Sequence, residues 1–242
     1  MFPGILSELN WPEPRSRTQV QMVRHFHRMR KMDDGRLIKK VFLWDKNLND
    51  SGLVNTWSSE VKDIFHRNGL DYIYDQPIFS LKSITRELKT SLSRKDQINW
   101  QSQCRTLPKL RTFIQFKNFE TDSPHIFKPL SFMQRKLMSK FRLGLLRLRL
   151  ETGRYIRPRM APEDRVCLIC NNGQVEDEIH FLLFCDKYNE IRRKLYGYVH
   201  DIENFQGLGN IDKLQLLLND PMLVKQTAIF ITEAYEYRST II

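Results

Sequence analysis

Three cysteines and one histidine fall within nineteen positions of this sequence, and all four belong to residue types that bind metal ions. They are Cys167, Cys170, His180 and Cys185, with the spacing Cys-x2-Cys-x9-His-x4-Cys. A Cys-x-x-Cys turn brings two thiolates to one ion, and the histidine and third cysteine complete a tetrahedron of three sulfurs and one nitrogen. Because this closed set leaves no position for water, the spacing predicts a structural zinc site and not a hydrolytic one.

The elements around these residues must reverse the chain and then bend a helix. Asn171-Asn172-Gly173 directly follows the second cysteine and predicts a turn. His180 and Cys185 are five positions apart, which would separate them by roughly 140° around an unbroken α-helix. We therefore expect the helix to break or loosen near residues 184–186.

Each of these residues has a simpler explanation when it is taken alone. A buried cysteine is a common small apolar side chain, and a histidine between Ile179 and Phe181 is often a packed core residue. Cys167 and Cys170 could also form a dithiol redox pair, but that motif needs a helix directly after it, where this sequence has the Asn-Asn-Gly turn. Cys104 stands apart, and we interpret it as a free structural thiol.

Positive charge is concentrated directly upstream of the cysteines. The formal charge of the 242-residue chain is +11, of which residues 131–165 contribute +7, while residues 166–242 contribute −4. A local field of this kind attracts polyanions, and nucleic acid is the commonest polyanion inside cells; an anionic membrane or a merely solvated surface is the alternative. The sequence shows no signal peptide and no membrane span, so we expect a folded intracellular protein of the nucleus or cytoplasm.

Apolar residues recur at helical spacing along most of the chain, which predicts a mostly α protein. The pattern is clear at residues 19–32, at 57–68 and after Ser131. Proline-containing stretches divide the sequence into a loose lead-in over 1–20, a helical connector over 21–130, and a basic helix with the CCHC zinc-binding domain and C-terminal helices over 131–242. The expected architecture is an irregular helical array with a small CCHC zinc-binding subdomain.

Four strings of the sequence are similar to the C-terminal region of non-LTR (LINE-type) retrotransposon reverse transcriptases. They are Phe141-Arg-Leu-Gly-Leu-Leu, Glu151-Thr-Gly-Arg-Tyr155, Glu163-Asp-Arg-Val-Cys167-Leu-Ile-Cys170 and Val175-Glu-Asp-Glu-Ile-His180-Phe-Leu-Leu-Phe-Cys185-Asp-Lys-Tyr188. Residues 36–45 and 57–64 resemble, more loosely, the connector that follows the polymerase thumb. In that family, a basic helical region and a CCHC segment follow the fingers, palm and thumb.

The resemblance implies a fragment that grips RNA or target DNA during target-primed reverse transcription. The side chains that it implies as phosphate contacts are nine basic residues, with Tyr155 stacked on a base. These basic residues are Arg135, Lys136, Lys140, Arg142, Arg147, Arg149, Arg154, Arg157 and Arg159. The chain has no Tyr-x-Asp-Asp string, no second carboxylate cluster for magnesium and no endonuclease segment, so we expect no enzymatic activity. We also expect no small-molecule substrate and no membrane partner.

Three other functions fit the same residues. The zinc site could staple a small protein-interaction module that has no nucleic-acid role and whose basic face meets an acidic protein. The basic helix could bind a membrane surface, although its apolar positions are few enough to be ordinary core. The reading frame could also be a decayed copy of an element with no selected role.

Overall fold

A computed structural model describes residues 2–52, 55–74, 80–200, 202 and 204–242. Thirteen α-helices lie in this part of the chain. In order they are α1 (Phe2–Glu8), α2 (Pro14–Arg30), α3 (Leu37–Asp50), α4 (Trp57–Arg67), α5 (Asp71–Tyr74), α6 (Leu81–Thr106), α7 (Phe113–Phe116), α8 (Pro124–Phe127), α9 (Phe132–Arg142), α10 (Arg149–Thr152), α11 (Asn189–Gly197), α12 (Asn210–Asn219) and α13 (Val224–Ile241). The only extended pairing among the described residues is an antiparallel bridge between Val166 and Val175. The predicted fold class, a mostly α irregular helical array, is confirmed.

The chain forms two compact units. The N-terminal unit is Pro12–Trp100, and the C-terminal unit combines Met1–Trp11 with Gln101–Ile242. The sequence predicts divisions after residues 20 and 130 instead. Residues 2–8 and 14–20 are helical, whereas the sequence predicts a loose lead-in. Pro14 occupies the first turn of α2, where backbone N–H groups have no helical partner, so the N–H group that proline lacks is not needed. No helix in the described part of the chain is long and apolar enough to cross a membrane.

Aromatic rings form the core of the N-terminal unit. Phe26 of α2 packs against Phe42 of α3, Phe65 of α4 and Tyr74 of α5, with ring centroids 5.5, 6.3 and 5.1 Å away. All four side chains are buried. Because these rings come from four different helices, their burial holds α2, α3, α4 and α5 around one core.

Phe181 lies at the centre of the aromatic core of the C-terminal unit. Its ring centroid is 6.0 Å from Phe141 of α9, 5.0 Å from Tyr188 and 6.1 Å from Phe230 of α13. Phe181 directly follows His180 in the sequence. Packing of the core therefore fixes the backbone that carries one of the predicted metal ligands.

Arg142 is a fully buried cation in the C-terminal unit. Its Nε donates to both carboxylate oxygens of Glu8 at 3.0 Å, and its Nη1 donates to the Leu218 carbonyl at 2.8 Å. The guanidinium carbon lies 4.8 Å from the ring centroid of Phe116. The ion pair joins α1 to α9, which explains why Met1–Trp11 belongs to this unit.

Replacing Arg142 by methionine should lower the free energy of unfolding by about 3–5 kcal/mol, because it leaves Glu8 as a buried unpaired charge. The double variant Glu8→Gln/Arg142→Met should be less destabilised than Arg142→Met, since it removes the carboxylate that the single variant leaves without its arginine. Urea denaturation followed by circular dichroism measures both changes. Lys140→Met, an exposed position on the same helix, is the control and should stay within about 0.5 kcal/mol. Equal stability of Arg142→Met and Lys140→Met would contradict a structural role for this ion pair.

Candidate metal centre

Cys167 and Cys170 lie on a short reversal of the chain. The Cys167 N–H donates to the Gln174 carbonyl at 2.8 Å, which closes the reversal. Within it, Asn171 and Gly173 have φ angles of 55° and 74°, a left-handed conformation that asparagine and glycine adopt most easily. The Asn-Asn-Gly sequence therefore forms the turn that it predicts, and it follows directly on the two cysteines.

A π-helical turn brings His180 and Cys185 to one side of their segment. The turn spans His180–Phe184, and the Cys185 N–H donates to the His180 carbonyl, five residues back, at 2.8 Å. The Asp177 carboxylate accepts a hydrogen bond from the His180 N–H at 2.7 Å and caps the start of the segment. A π turn is wider than an α turn, so residues five apart lie nearly above one another. The predicted loosening of the helix is confirmed: it widens over His180–Phe184 and ends at Cys185.

The ligand atoms of Cys167, Cys170, His180 and Cys185 converge, and we term these four residues the ligand cluster. The three Sγ atoms and one imidazole nitrogen all lie within 4.8 Å of one another. Cys167, His180 and Cys185 are buried, and Cys170 is half-buried. Tetrahedral ligands at roughly 2.0–2.3 Å from an ion are roughly 3.5 Å apart. The cluster is therefore near the spacing that one bound ion requires, and these four residues could hold a metal ion.

The close approach of the thiols shifts their pKa values in opposite directions. A hydrogen bond from the Cys185 thiol lowers the pKa of Cys167, and the same bond raises the pKa of Cys185, which keeps the shared proton. One thiol thus ionises readily, while its negative charge opposes ionisation of the next. A cation bound among the sulfurs would remove this opposition, since it stabilises every thiolate at once.

Gln174 orients the imidazole of His180. The Nδ1 atom lies 2.9 Å from the Gln174 Oε1, and the Nε2 atom lies 3.5 Å from the Cys170 Sγ. The amide oxygen accepts, so Nδ1 carries the proton and the lone pair of Nε2 faces the cysteines. Metal-binding histidines commonly donate their second N–H in this way, which fixes the tautomer and the ring orientation. The sequence did not indicate this role of Gln174, because nothing in its neighbourhood distinguishes it from other polar residues.

Arg192 of α11 holds the segment between His180 and Cys185. It is buried, its Nε donates to the Leu182 carbonyl at 2.9 Å, and its Nη2 donates to the Cys185 carbonyl at 2.9 Å. A wide turn followed by a helix end leaves carbonyl groups without helical partners, and Arg192 supplies donors for two of them. The sequence did not indicate that Arg192 binds backbone carbonyls. Arg192 begins a run of three basic residues, and such a run is usually a solvent-exposed face.

Glu176 connects the ligand cluster to the basic residues that precede it. Its carboxylate accepts hydrogen bonds from Arg238 of α13 at 2.7 and 2.9 Å and from the Arg149 backbone N–H at 2.6 Å. The Leu150 N–H donates to the Glu176 carbonyl at 3.1 Å. Since Glu176 is buried, water screens this ion pair little. These contacts tie α10, α13 and the ligand segment together.

The residues predicted to contact nucleic acid differ widely in exposure. The exposed ones are Lys136, Lys140, Arg147, Tyr155, Arg157 and Arg159. Arg149 and Arg154 are half-buried, and the Arg154 Nε lies 3.3 Å from a Glu151 carboxylate oxygen. Tyr155 is 70% exposed, and its hydroxyl donates to Glu151 at 3.2 Å.

The structure corrects the prediction for Arg142. Its guanidinium is buried in the ion pair with Glu8 and cannot reach a phosphate. Arg135 is also engaged internally: it donates to the carbonyls of Ile126 and Lys128 at 2.7 and 3.2 Å, where α8 ends. Sequence patterning could not separate these two arginines from surface cations, because both alternate with apolar residues on an amphipathic helix.

Arg147 and Arg149 line a cleft of about 300 Å³ beside the ligand cluster. Leu168, which lies between the first two cysteines, and Tyr235 and Arg238 of α13 line the other walls. None of the described residues that line this cleft is acidic. The cleft therefore offers the side chains of Arg147 and Arg149 to an anion, while Arg238 is already paired with Glu176.

No protein-family model, no curated protein and no solved structure matches this chain. The ligand cluster is the only group of three or more Cys, His, Asp or Glu residues in the described ranges that is placed to hold an ion.

Replacing Arg192 by methionine should lower the free energy of unfolding by about 2–4 kcal/mol, since it removes the donor of the buried Leu182 carbonyl and leaves the Cys185 carbonyl with the Tyr188 N–H alone. Arg193→Met is the matched control, because this neighbour is exposed and pairs with Glu190 on the surface. The control should change stability by about 0.5 kcal/mol or less. Chemical denaturation in the presence of added zinc measures both. Equal effects of the two substitutions would exclude a supporting role for Arg192.

Proposed function

We propose that the ligand cluster binds one zinc ion. Three thiolates and one imidazole suit Zn²⁺ and would fill all four positions of a tetrahedron. No position then remains for water, so the ion stabilises the fold and performs no reaction. The observation that supports this proposal is the convergence of four ligand atoms within 4.8 Å from a chain reversal and a separate π turn.

The second part of the proposal is that the chain binds RNA or DNA through the basic segment, residues 131–165. Its support is the exposure of five cations: Lys136, Lys140, Arg147, Arg157 and Arg159. Solvent-exposed cations attract phosphate groups and release counterions when they bind them. The exposed ring of Tyr155 offers a face on which a base can stack. The cleft at Arg147 and Arg149 adds an acid-free anion site next to the ligand cluster.

We further propose that the chain is a non-catalytic nucleic-acid-binding fragment of a retrotransposon reverse transcriptase. Its support is the likeness of the sequence strings around the ligand cluster to the C-terminal region of the LINE-type enzymes. The Tyr-x-Asp-Asp string of the polymerase does not occur in the sequence, so the proposed role is binding without catalysis. Zinc would keep the segment after residue 165 folded, while the basic segment grips the phosphate backbone.

A zinc-stapled protein-interaction module is the second candidate, and the exposed face of α3 favours it. Leu37, Ile38, Val41 and Trp44 are each more than half exposed. Adjacent exposed apolar side chains commonly mark contact with another protein. Under this second candidate, the chain binds neither RNA nor DNA even at low salt.

Elemental analysis of the purified protein should find about one zinc ion per chain. Cys170→Ser should reduce the zinc content to near zero and lower the melting temperature, since the three remaining ligands no longer enclose the ion. Cys104→Ala is the control, because it removes a buried thiol outside the cluster and should leave zinc content unchanged. Retention of a full equivalent of zinc by Cys170→Ser would contradict the proposed ligand set.

Fluorescence anisotropy with labelled single-stranded RNA and duplex DNA should show binding at about 50 mM salt that weakens strongly at about 200 mM. Arg157→Gln/Arg159→Gln should reduce affinity by roughly tenfold and flatten the log-log salt dependence by about 1.5, because two phosphate contacts are lost. Lys187→Gln/Lys225→Gln is the matched control: both lysines are exposed, lie in the same unit and fall outside residues 131–165.

Two results would contradict the proposed binding surface. The first is the absence of binding to either nucleic acid at low salt. The second is an equal loss of affinity in the Arg157/Arg159 and Lys187/Lys225 variants, which would show that only net charge matters.

A further inference from the structure

A groove in the N-terminal unit gathers positive charge at a second place. It has a volume of about 900 Å³ and lies along the second half of α2, the turn after it and the start of α6. Its lining residues are Gln21, Arg24, His25, His27, Arg28, Lys31, Met32, Asp33, Arg36 and Leu81. Among these described residues, four are arginine or lysine and Asp33 alone is acidic. We term this feature the basic groove.

The four cations of the basic groove have no carboxylate partner within the ranges that the structure describes. No ion pair there includes Arg24, Arg28, Lys31 or Arg36. Asp33 forms no ion pair with these cations among the described residues, and its Oδ1 accepts a hydrogen bond from the Gly35 N–H at 2.9 Å. The buried arginines of the C-terminal unit differ, since Arg142 and Arg238 each pair with a carboxylate. The positive charge of these four side chains is therefore available to an anion that binds from outside the protein.

Three of these cations form a row. Arg24 and Arg28 of α2 and Lys31, the residue directly after it, are spaced four and three residues apart, which places them on one side of the helix. At 1.5 Å per residue, they span roughly 10 Å along the helix axis. One strand of B-form DNA carries about three phosphates over that length, at 3.4 Å per nucleotide. The row thus matches a series of phosphates better than a single small anion.

The helix dipole accounts for only part of this charge. Cations in the last turn of a helix interact favourably with its free carbonyl groups, which explains Arg28 and Lys31. Arg24 lies too early in α2 for this effect, and Arg36 lies beyond its end. His27 is buried in the wall of the groove, and burial together with Lys31 and Arg30 lowers its pKa.

The described lining of the groove combines four cations with ring and apolar surface. Met32 and Leu81 add apolar surface beside them. The exposed imidazole of His25, held edge-on against Trp57 at 5.9 Å between ring centroids, offers a ring for an unstacked base. Cations in a row beside ring and apolar surface are typical of sites for nucleic-acid backbones.

We propose that the basic groove binds the phosphate backbone of a nucleic acid, as a contact surface additional to residues 131–165. The proposal shares its ligand class with the proposed function but rests on different residues in a different unit. It assigns phosphate contacts to Arg24, Arg28, Lys31 and Arg36.

The test uses the full chain with labelled single-stranded RNA of about 20 nucleotides and duplex DNA of equal length, at about 50 and 200 mM salt. Arg28→Gln/Lys31→Gln removes two exposed cations from the groove. Arg15→Gln/Lys89→Gln is the matched control, because these two exposed cations lie in the same unit and do not line the groove.

We expect the groove variant to bind at least about tenfold more weakly. The log-log slope of affinity against salt should become less steep by about 1.5, because each lost phosphate contact reduces that slope by roughly 0.7–0.9. The control should change affinity less than about twofold, and both variants should keep the melting temperature of the unmodified chain.

Each outcome separates this proposal from the one for residues 131–165. Weaker binding in Arg28→Gln/Lys31→Gln but not in Arg157→Gln/Arg159→Gln supports the groove and contradicts the other surface. Unchanged binding in the groove variant overturns the groove proposal, while loss in Arg157→Gln/Arg159→Gln leaves the proposed function standing. Equal loss in the groove and control variants also overturns it. Binding to phosphatidylserine vesicles without binding to either nucleic acid would overturn both.

Discussion

The structure around the ligand cluster depends on one constraint: His180 and Cys185 must face the same point although they are five residues apart. An α-helix would turn one of them away by roughly 140°. The chain meets the constraint with a π turn over His180–Phe184 and a helix end at Cys185. That solution frees backbone carbonyls, which Arg192 satisfies from α11. It also places Phe181 in the aromatic core, so apolar packing and ligand geometry stabilise each other.

Several arginines of the C-terminal unit are buried and bind carboxylate or carbonyl groups inside it. Arg142 and Arg238 are buried against Glu8 and Glu176, respectively. Arg165 is buried too, with donors to the carbonyls of Leu150 and Met160 at 2.9 and 2.8 Å. A guanidinium can satisfy several carbonyl and carboxylate acceptors at once, which suits it to a unit made of short helices with many free ends. The net charge of a segment therefore overstates the number of cations available to phosphates.

The sequence was sufficient for the helical class, the convergence of Cys167, Cys170, His180 and Cys185, and the turn at Asn171-Asn172-Gly173, because these follow from local spacing and turn chemistry. It was not sufficient for the π turn itself, which requires contacts from distant residues. Gln174 and Arg192 escaped notice for a related reason: their roles depend on which carbonyl or imidazole lies near them in space. The compact units were also beyond reach, since the pairing of Glu8 with Arg142 spans 134 residues.

We propose that a bound zinc ion keeps the segment after residue 165 folded next to the exposed basic segment. This proposal depends most on the identity and the number of the zinc ligands. X-ray absorption spectroscopy at the zinc edge of the purified protein measures them directly. For the proposed zinc site we expect three sulfur atoms at roughly 2.3 Å and one nitrogen atom at roughly 2.0–2.1 Å from the ion, with no further ligand. A zinc ion that retains a water oxygen, or that is bound by fewer than three sulfurs, would contradict it.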